Sequence, residues 1–169
     1  MPNRSIKSTA RAGSLQLTDC LSSLFALELM RPSSEIYLIS PWISNVTLIS
    51  NRFGQFRAVV GDSGDGDLRL AALLKTLAER GTRVRVIYRS GHQLTEEFLN
   101  LLPEIIERRN TERLHEKGLI TRYFYLRGSM NFTHSGVNFN DESVELTTDP
   151  QDVALALLEA QQRWEAPSL

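Results

Sequence analysis

Apolar residues recur at two spacings along this chain, one typical of helices and one typical of strands. Leucines at helical spacing predict amphipathic helices over residues 15–29 and 68–80, and Thr95 to about Arg109 forms another. The short apolar runs Glu35–Ser40 and Thr82–Tyr88 are rich in β-branched and aromatic residues and predict strands. A glycine separates the second helix from the second strand, as in an α/β crossover. The pattern therefore predicts an α/β fold with a mixed, largely parallel sheet flanked by helices.

The two ends of the chain differ in character. Residues 1–13 are polar and basic without periodicity, and they predict a flexible arm. Near the other end, Asp149 and Pro150 form a helix start, and the segment that follows has one apolar face. A chain of 169 residues with 41% hydrophobic content is long enough for one substantial core and too short for two. We therefore expect a single domain over residues 14–169.

Charge is nearly balanced overall but not locally. The net charge of −1 gives the whole molecule no attraction for nucleic acid or an anionic membrane. Residues 107–127 contain six cations and three acids, a local balance of +3. This segment is either a solvated helix end followed by strand-surface charges or a phosphate-binding region. Any polyanion would have to be bound here rather than by the surface at large.

A single cysteine and the N-terminal sequence bear on the compartment. Cys20 is the only cysteine, so no internal disulfide can form, and its apolar, helix-like surroundings favour a buried structural thiol. The basic residues at the start of the chain precede a segment that Asp19 and Glu28 interrupt. That segment therefore lacks the uninterrupted apolar core of a signal peptide or a membrane span. We expect a cytoplasmic protein without stable membrane association.

An acidic loop over Gly61–Asp67 alternates glycine and aspartate. Its composition is similar to that of a calcium loop, but the twelfth position counted from Asp62 is Leu73, where an EF-hand requires glutamate. A flexible acidic turn is the favoured interpretation. We predict no metal site here.

The stretch from His115 to Asn131 carries the candidate chemistry. In an extended chain His115 and Lys117 point the same way, so that one face presents a nucleophile and a cation. The chain then turns, returns, and breaks at Gly128, after which Ser129 and Asn131 offer small polar groups to an anion. The histidine, lysine, serine and asparagine side chains would thus converge on one phosphate.

These residues resemble the signature of the phospholipase D superfamily: His-x-Lys, four residues, Asp, and then Gly-Ser-x-Asn. Five positions match, namely His115, Lys117, Gly128, Ser129 and Asn131. Arg122 occupies the position of the Asp. The match implies a phospholipase D-like fold whose catalytic set is present in this chain.

Two further features resemble the same superfamily. The first predicted strand ends in a Ser-Pro-aromatic turn at Trp42, a turn that commonly lies near the active site there. Asn140 and Glu142 match the Asn-x-Glu that follows the signature, and Glu142 is the candidate for holding His115 in its useful tautomer. From the residues alone, an exposed acid at a strand edge remains the alternative for Glu142.

The resemblance implies a phosphodiesterase that needs no metal and no other cofactor. The histidine would attack phosphorus and form a phosphohistidine while neighbouring polar groups stabilise the charge on the non-bridging oxygens. The candidates for these roles are His115, Lys117, Ser129, Asn131 and Glu142, and those for binding substrate are Gly128, Arg122 and Arg113. A second, protonated histidine must supply the leaving-group proton. With one motif in the chain, the resemblance implies a homodimer whose two His115 side chains face each other.

Short single-motif members of the superfamily are mostly metal-independent nucleases, so the resemblance implies an enzyme that acts on DNA. Small cytoplasmic members occur in bacterial DNA-modification and phage-defence systems, and other subunits of such a system are expected partners. One alternative is a catalytically weak nucleic-acid-binding subunit of a larger assembly. Lipid phosphodiesterase activity is less favoured because the chain lacks an anchor, a basic amphipathic helix and a long apolar lid.

Overall fold

The computed structural model describes residues 3–8, 14–51, 53–54, 56–60, 66–138 and 142–167. The predicted acidic loop therefore lies outside the described residues up to position 65, and so does Asn140.

The described chain alternates strands and helices. The strands are β1 (Arg4–Ser8), β2 (Glu35–Ile39), β3 (Thr47–Ile49), β4 (Leu68–Arg69), β5 (Arg83–Tyr88), β6 (Glu107–Asn110), β7 (Gly118–Ile120), β8 (Tyr125–Gly128) and β9 (Glu142–Thr147). The helices are α1 (Ser14–Met30), α2 (Arg57–Val60), α3 (Leu70–Glu79), α4 (Gln93–Leu101), α5 (His134–Asn138) and α6 (Pro150–Glu165). The prediction of an α/β fold is confirmed.

Seven strands form the main sheet in the order β1-β9-β8-β7-β2-β5-β6, and β3 pairs with β4 separately. Among the described strands, β2 pairs with β5 in parallel, as the crossover pattern predicted. β5 also pairs in parallel with β6, a strand that the sequence analysis did not predict. The other four neighbouring pairs of this sheet are antiparallel. The sheet is therefore mixed, as predicted, but the prediction that it is largely parallel is wrong. One reason is that a short turn joins β7 to β8, and only antiparallel strands can be joined in this way.

The N-terminal residues contribute an edge strand. β1 pairs antiparallel with β9, with Ser5 opposite Glu145 in the register. The prediction of a flexible arm did not anticipate this strand, because backbone pairing with a sheet edge needs no hydrophobic periodicity in the paired segment. The boundary of the single domain at residue 14 stays a prediction.

Helices cover both faces of the sheet. Leu38 of β2 and Leu119 of β7 belong to the large core that includes residues of α1 and α3. Their neighbours Tyr37 and Ile120 face the other way and pack with Ala156 of α6. Side chains alternate across a strand, so a strand buried on both faces has a continuous apolar run. The two layers hold β2 and β7 in place. The candidate site lies at the end of β2 and the start of β7.

Among the predicted helices, α4 differs most in length from its prediction. It ends at Leu101, whereas the predicted helix continued to about Arg109. Leu102 has an extended backbone with φ −81° and ψ 135°, and Pro103 follows. Proline disfavours a helical conformation in the residue before it, so the helix ends early. The chain then enters β6 instead of continuing as a helix.

The C-terminal helix starts as the sequence predicted. The Asp149 carboxylate accepts hydrogen bonds from the backbone N–H groups of Gln151 and Asp152, at 2.9 and 3.2 Å, and Pro150 occupies the first turn. The predicted cap is confirmed. Among the described residues, no helix has the length and apolar character needed to cross a membrane.

Candidate active site

The His-x-Lys pair lies in the segment that leads into β7 rather than within the strand, which begins at Gly118. His115 is exposed and Lys117 is half-buried. The Nζ of Lys117 donates a hydrogen bond to the backbone carbonyl oxygen of His115, with a distance of 2.8 Å between the two atoms. The ammonium group is therefore held beside the histidine backbone.

The hairpin of β7 and β8 joins the two halves of the motif. The backbone N–H of Gly128 donates to the carbonyl oxygen of Lys117 at 3.4 Å. Gly128 has a φ of +154°, and a Cβ atom at this position would lie 2.1 Å from the carbonyl oxygen of Ser143. Only glycine fits such a close approach of two backbones. The glycine thus allows β8 to reach β9 immediately before Ser129.

Ser129 and Glu142 are in direct contact. The Ser129 hydroxyl donates to the Glu142 carboxylate and accepts from the backbone N–H of Ser143 at 3.0 Å. The N–H of Ser129 in turn donates to the carbonyl oxygen of Ser143, also at 3.0 Å. Glu142 therefore orients the motif serine. Its predicted role in holding the His115 imidazole stays a prediction.

Asn131 is placed by a residue that sequence reasoning missed. Ser40, which is buried at the end of β2, has its hydroxyl 3.5 Å from Oδ1 of Asn131. The Ser40 hydroxyl accepts a hydrogen bond from the N–H of Phe132 at 3.2 Å and donates one to the carbonyl oxygen of Trp42 at 2.8 Å. The only sequence signal for this role was the position of Ser40 just before the Pro-Trp turn. Through Ser40, the end of β2 and the Gly-Ser-x-Asn segment meet at one edge of the sheet.

The two arginines predicted to bind substrate lie at opposite ends of β7. Arg113 is exposed in the segment that precedes His115. Arg122 lies in the turn between β7 and β8, at the end of β7 away from His115, and its guanidinium group lies 6.0 Å from the ring centroid of Tyr123. The structure therefore does not bring Arg122 together with the other candidate residues.

A buried carboxylate supports the turn where the superfamily signature has its Asp. Glu28 of α1 is only 1% exposed. Its two carboxylate oxygens accept from the N–H and the hydroxyl of Ser33, both at 3.0 Å. The Ser33 hydroxyl also accepts from the N–H of Arg122 at 3.0 Å. We call Glu28, Ser33 and the Arg122 N–H the turn anchor. Sequence reasoning missed it because Arg122 lies 89 residues after Ser33 in the chain.

A shallow pocket of about 230 Å³ lies beside the hairpin. Its lining residues are Ile39, Glu116, Lys117, Gly118, Tyr125, Arg127 and Gly128. Burial raises the pKa of the Tyr125 phenol, although the nearby Arg127 lowers it. The hydrogen bonds that Arg127 donates to Glu145, at 2.9 and 3.0 Å, raise the pKa of its guanidinium group. Of the candidate residues, Lys117 and Gly128 line this pocket.

Several side chains at this edge of the sheet are able to donate hydrogen bonds to an anion. Lysine, serine and asparagine side chains and a backbone glycine surround the start of β7, and one carboxylate contacts the serine. Within the described part of the chain, no three His, Cys, Asp or Glu side chains are grouped so that they could hold a metal ion.

Comparisons with known proteins place this geometry in context. The family model described as "Cardiolipin synthase, PLD-like domain" matches residues 58–164, which is more than half of the chain. A search of curated proteins found no match.

Several solved structures share the fold. The phospholipase D family member Nuc from Salmonella typhimurium superposes with a TM-score of 0.61 at 15% identity, over 96% of this chain and 93% of that one. NucT from Helicobacter pylori gives a TM-score of 0.57 at 15% identity, over 97% of both chains. The archaeal chromatin protein TrmBL2, described with a novel mode of DNA binding, gives 0.52 at 14% identity, over 100% of this chain and 55% of that one. At such low identity these matches show the fold alone.

Proposed function

The chain belongs to the phospholipase D superfamily, and from this premise we propose that it is a metal-independent phosphodiesterase that acts on nucleic acid, with DNA favoured. One observation carries the proposal. The hydrogen bond from Gly128 N–H to the Lys117 carbonyl joins the His-x-Lys and Gly-Ser-x-Asn segments side by side. A phosphate at this edge of the hairpin would meet a nucleophile and a cation from the segment before β7 and a hydroxyl from the segment after β8.

In the proposed first step, a ring nitrogen of His115 attacks phosphorus and the bond from phosphorus to the leaving oxygen breaks. Lys117 exchanges its hydrogen bond with the His115 carbonyl for one to a non-bridging oxygen, a change that needs only a side-chain rotation. Ser129 can likewise exchange its bond with Glu142 for one to the phosphate. Water then hydrolyses the phosphohistidine and restores the histidine.

The leaving oxygen needs a proton, and we propose that His115 of a second copy donates it. The chain has three histidines. His92 is stacked on Trp42, and His134 starts α5 after the motif, so neither belongs to a second copy of the signature. A homodimer with the two His115 side chains facing each other supplies one base and one acid.

Nucleic acid is the favoured substrate for three reasons. The segment 107–127 has a local charge of +3 in a chain of net charge −1, so a polyanion would bind here. Short members of the superfamily are mostly nucleases, as the sequence resemblance implies. TrmBL2, which shares the fold, is described as binding DNA. A place in a bacterial DNA-modification or phage-defence system is a proposal from the resemblance.

The first experiment measures cleavage of a bis(p-nitrophenyl) phosphate-type diester in EDTA by wild type, His115→Ala and Lys117→Ala. We expect turnover by the wild type, no turnover by His115→Ala and strongly reduced turnover by Lys117→Ala. His134→Ala tests whether another histidine of the same chain donates the proton. Loss of activity in His134→Ala would refute the dimeric arrangement, and full activity in His115→Ala would refute the proposal as a whole.

A mixing experiment tests the dimer directly. Wild type and His115→Ala are unfolded together, refolded at varying ratios, and assayed after their oligomeric state has been measured by light scattering. If both copies of His115 are needed, activity falls to about one quarter when half of the chains carry the substitution, because only fully wild-type dimers work. A linear fall, or activity in a strictly monomeric sample, would contradict the two-histidine mechanism.

A second candidate function is a nucleic-acid-binding subunit with weak turnover. One observation favours it: among the described residues, no hydrogen bond to the His115 imidazole fixes its tautomer. Such a subunit would bind a DNA oligonucleotide but would not cleave the diester of the first experiment. The His115→Ala substitution would then leave DNA binding in place with no cleavage to lose.

A further inference from the structure

An exposed aromatic side chain follows β2, at the edge of the sheet where the candidate site lies. Trp42 is 40% exposed, whereas Ser40 and Ile43 on either side of it are completely buried. The Ser40 hydroxyl contacts both the Trp42 carbonyl and Asn131, so the Trp42 backbone lies beside the Gly-Ser-x-Asn segment. The parallel bridge between Ile43 and Phe132 continues this contact. The indole is therefore anchored to the same edge of the sheet as the motif.

The indole is part of a stack of flat groups. The His92 ring lies 5.5 Å from the Trp42 ring, centroid to centroid, with 21° between the planes. The guanidinium carbon of Arg89 lies 5.2 Å from the Trp42 centroid. Arg89 and His92 follow β5, and β5 runs parallel to β2, so both strands deliver these side chains to one edge. We call Trp42, His92 and Arg89 the stacking platform.

The backbone around the platform is held in place. The N–H of Ile43 donates to the hydroxyl of Thr95 at 3.0 Å, and the same hydroxyl lies 3.4 Å from Nδ1 of His92. The N–H of Arg89 donates to the carbonyl of Pro41 at 3.2 Å. Among the described residues, no acidic side chain forms an ion pair with Arg89. Proteins that bind single-stranded nucleic acid combine aromatic side chains, on which bases stack, with cationic groups that contact the backbone.

We propose that the stacking platform binds an unpaired nucleobase next to the phosphate held at His115 and Lys117. This inference rests on the proposed function and names its substrate class, a single-stranded nucleic acid. Every base has a flat π-face, so the platform selects unpaired bases without reading their sequence. Bases in a duplex are already stacked on their neighbours and cannot reach the platform unless they are extruded.

The test compares ligands with and without bases. Binding is measured by fluorescence anisotropy with His115→Ala protein, which retains the platform but is not expected to cleave. The probes are a ten-nucleotide oligothymidylate, an abasic single strand of equal length, and a duplex of equal length. We expect the oligothymidylate to bind about 5- to 150-fold more tightly than the abasic strand, the range found for stacking of one base on an aromatic side chain. The duplex should gain no such advantage.

Variants then assign the preference to the platform. In the His115→Ala background, Trp42→Ala should abolish the preference for base over abasic strand, and Trp42→Phe should retain most of it. Leu158→Ala, which removes another exposed apolar side chain on α6, is the matched control and should retain the full preference. Binding by Trp42→Ala with an undiminished preference would overturn the inference. The inference would also be overturned if the His115→Ala protein, with Trp42 intact, bound no strand or bound the oligothymidylate and the abasic strand equally well.

The outcome is separable from that of the proposed function. If the wild type cleaves the small diester but the protein shows no preference for strands with bases, the proposed phosphodiesterase is supported and the proposed base binding by the platform is contradicted. A Trp42-dependent preference in a protein that cleaves no diester would support the platform and refute the enzyme in favour of the binding subunit.

Discussion

Replacing Glu28 with glutamine tests the turn anchor that supports the motif hairpin. Glu28 is a carboxylate inside the core, and both of its oxygens accept hydrogen bonds from Ser33. Glutamine has nearly the same shape but one acceptor oxygen in place of two. The amide can still accept from the Ser33 N–H, but the Ser33 hydroxyl loses its acceptor and meets an NH₂ group instead. The substitution thus removes one hydrogen bond and the charge of the carboxylate.

The expected cost follows from the bonds involved. A hydrogen bond to a charged group contributes about 1.5–3 kcal/mol net, and a buried hydroxyl left without an acceptor adds to the penalty. We therefore expect Glu28→Gln to lower the free energy of unfolding by about 1.5–3 kcal/mol. For a chain of this size each kcal/mol lowers Tm by about 2–4 °C, so Tm should fall by about 3–12 °C. The Arg122 N–H still has the Ser33 hydroxyl as its acceptor, so the hairpin should be loosened rather than lost.

Urea unfolding followed by circular dichroism measures this cost. The matched control is Glu79→Gln, since Glu79 is an exposed acid whose partner is Lys75 at 3.8 Å. A surface pair of this kind is worth at most about 1 kcal/mol, so the control should stay close to wild type. Equal stability of Glu28→Gln and wild type would show that the buried carboxylate does not support the turn, and the reasoning would be refuted.

Two further predictions concern a glycine and a tyrosine. Gly128→Ala should cost at least about 2 kcal/mol and abolish phosphate binding, since the new Cβ meets the Ser143 carbonyl and displaces Ser129. Gly81→Ala is the control in urea unfolding, because Gly81 also has a positive φ, +96°, but has open space around it. If both substitutions lower the free energy of unfolding equally, the clash with Ser143 is not the cause. Tyr37 is completely buried, and burial raises the pKa of its phenol above the usual value near 10. As the pH rises above about 10, the phenol therefore loses its proton in the unfolded chain before it does so in the folded chain, and the free energy of unfolding falls. In Tyr37→Phe the urea midpoint should fall less between pH 8 and pH 11 than in wild type, and equal slopes in the two proteins would contradict the shift.

Local patterns in the sequence were sufficient to predict most of the helices and strands and to identify the motif. The strand at Glu35–Ile39, the helix at Leu70–Glu79 and the cap at Asp149 all follow from spacing and residue type within a few neighbouring residues. The parallel pairing of β2 with β5 followed from the crossover between them. The candidate set at His115–Asn131 was identified from its resemblance to the phospholipase D signature, and the family match supports that superfamily.

The tertiary structure decided what depends on partners distant in the chain. Three of the four antiparallel pairs of the main sheet, the edge strand β1 and the early end of α4 were not in the sequence prediction. The same holds within the site: Ser33 meets the Arg122 N–H across 89 residues, and Ser40 meets Asn131 across 91. Short-range periodicity records which face of an element is buried, but it does not record which other element covers that face. Sheet order, the turn anchor and the stacking platform depend on those long-range choices, so only the folded chain determines them.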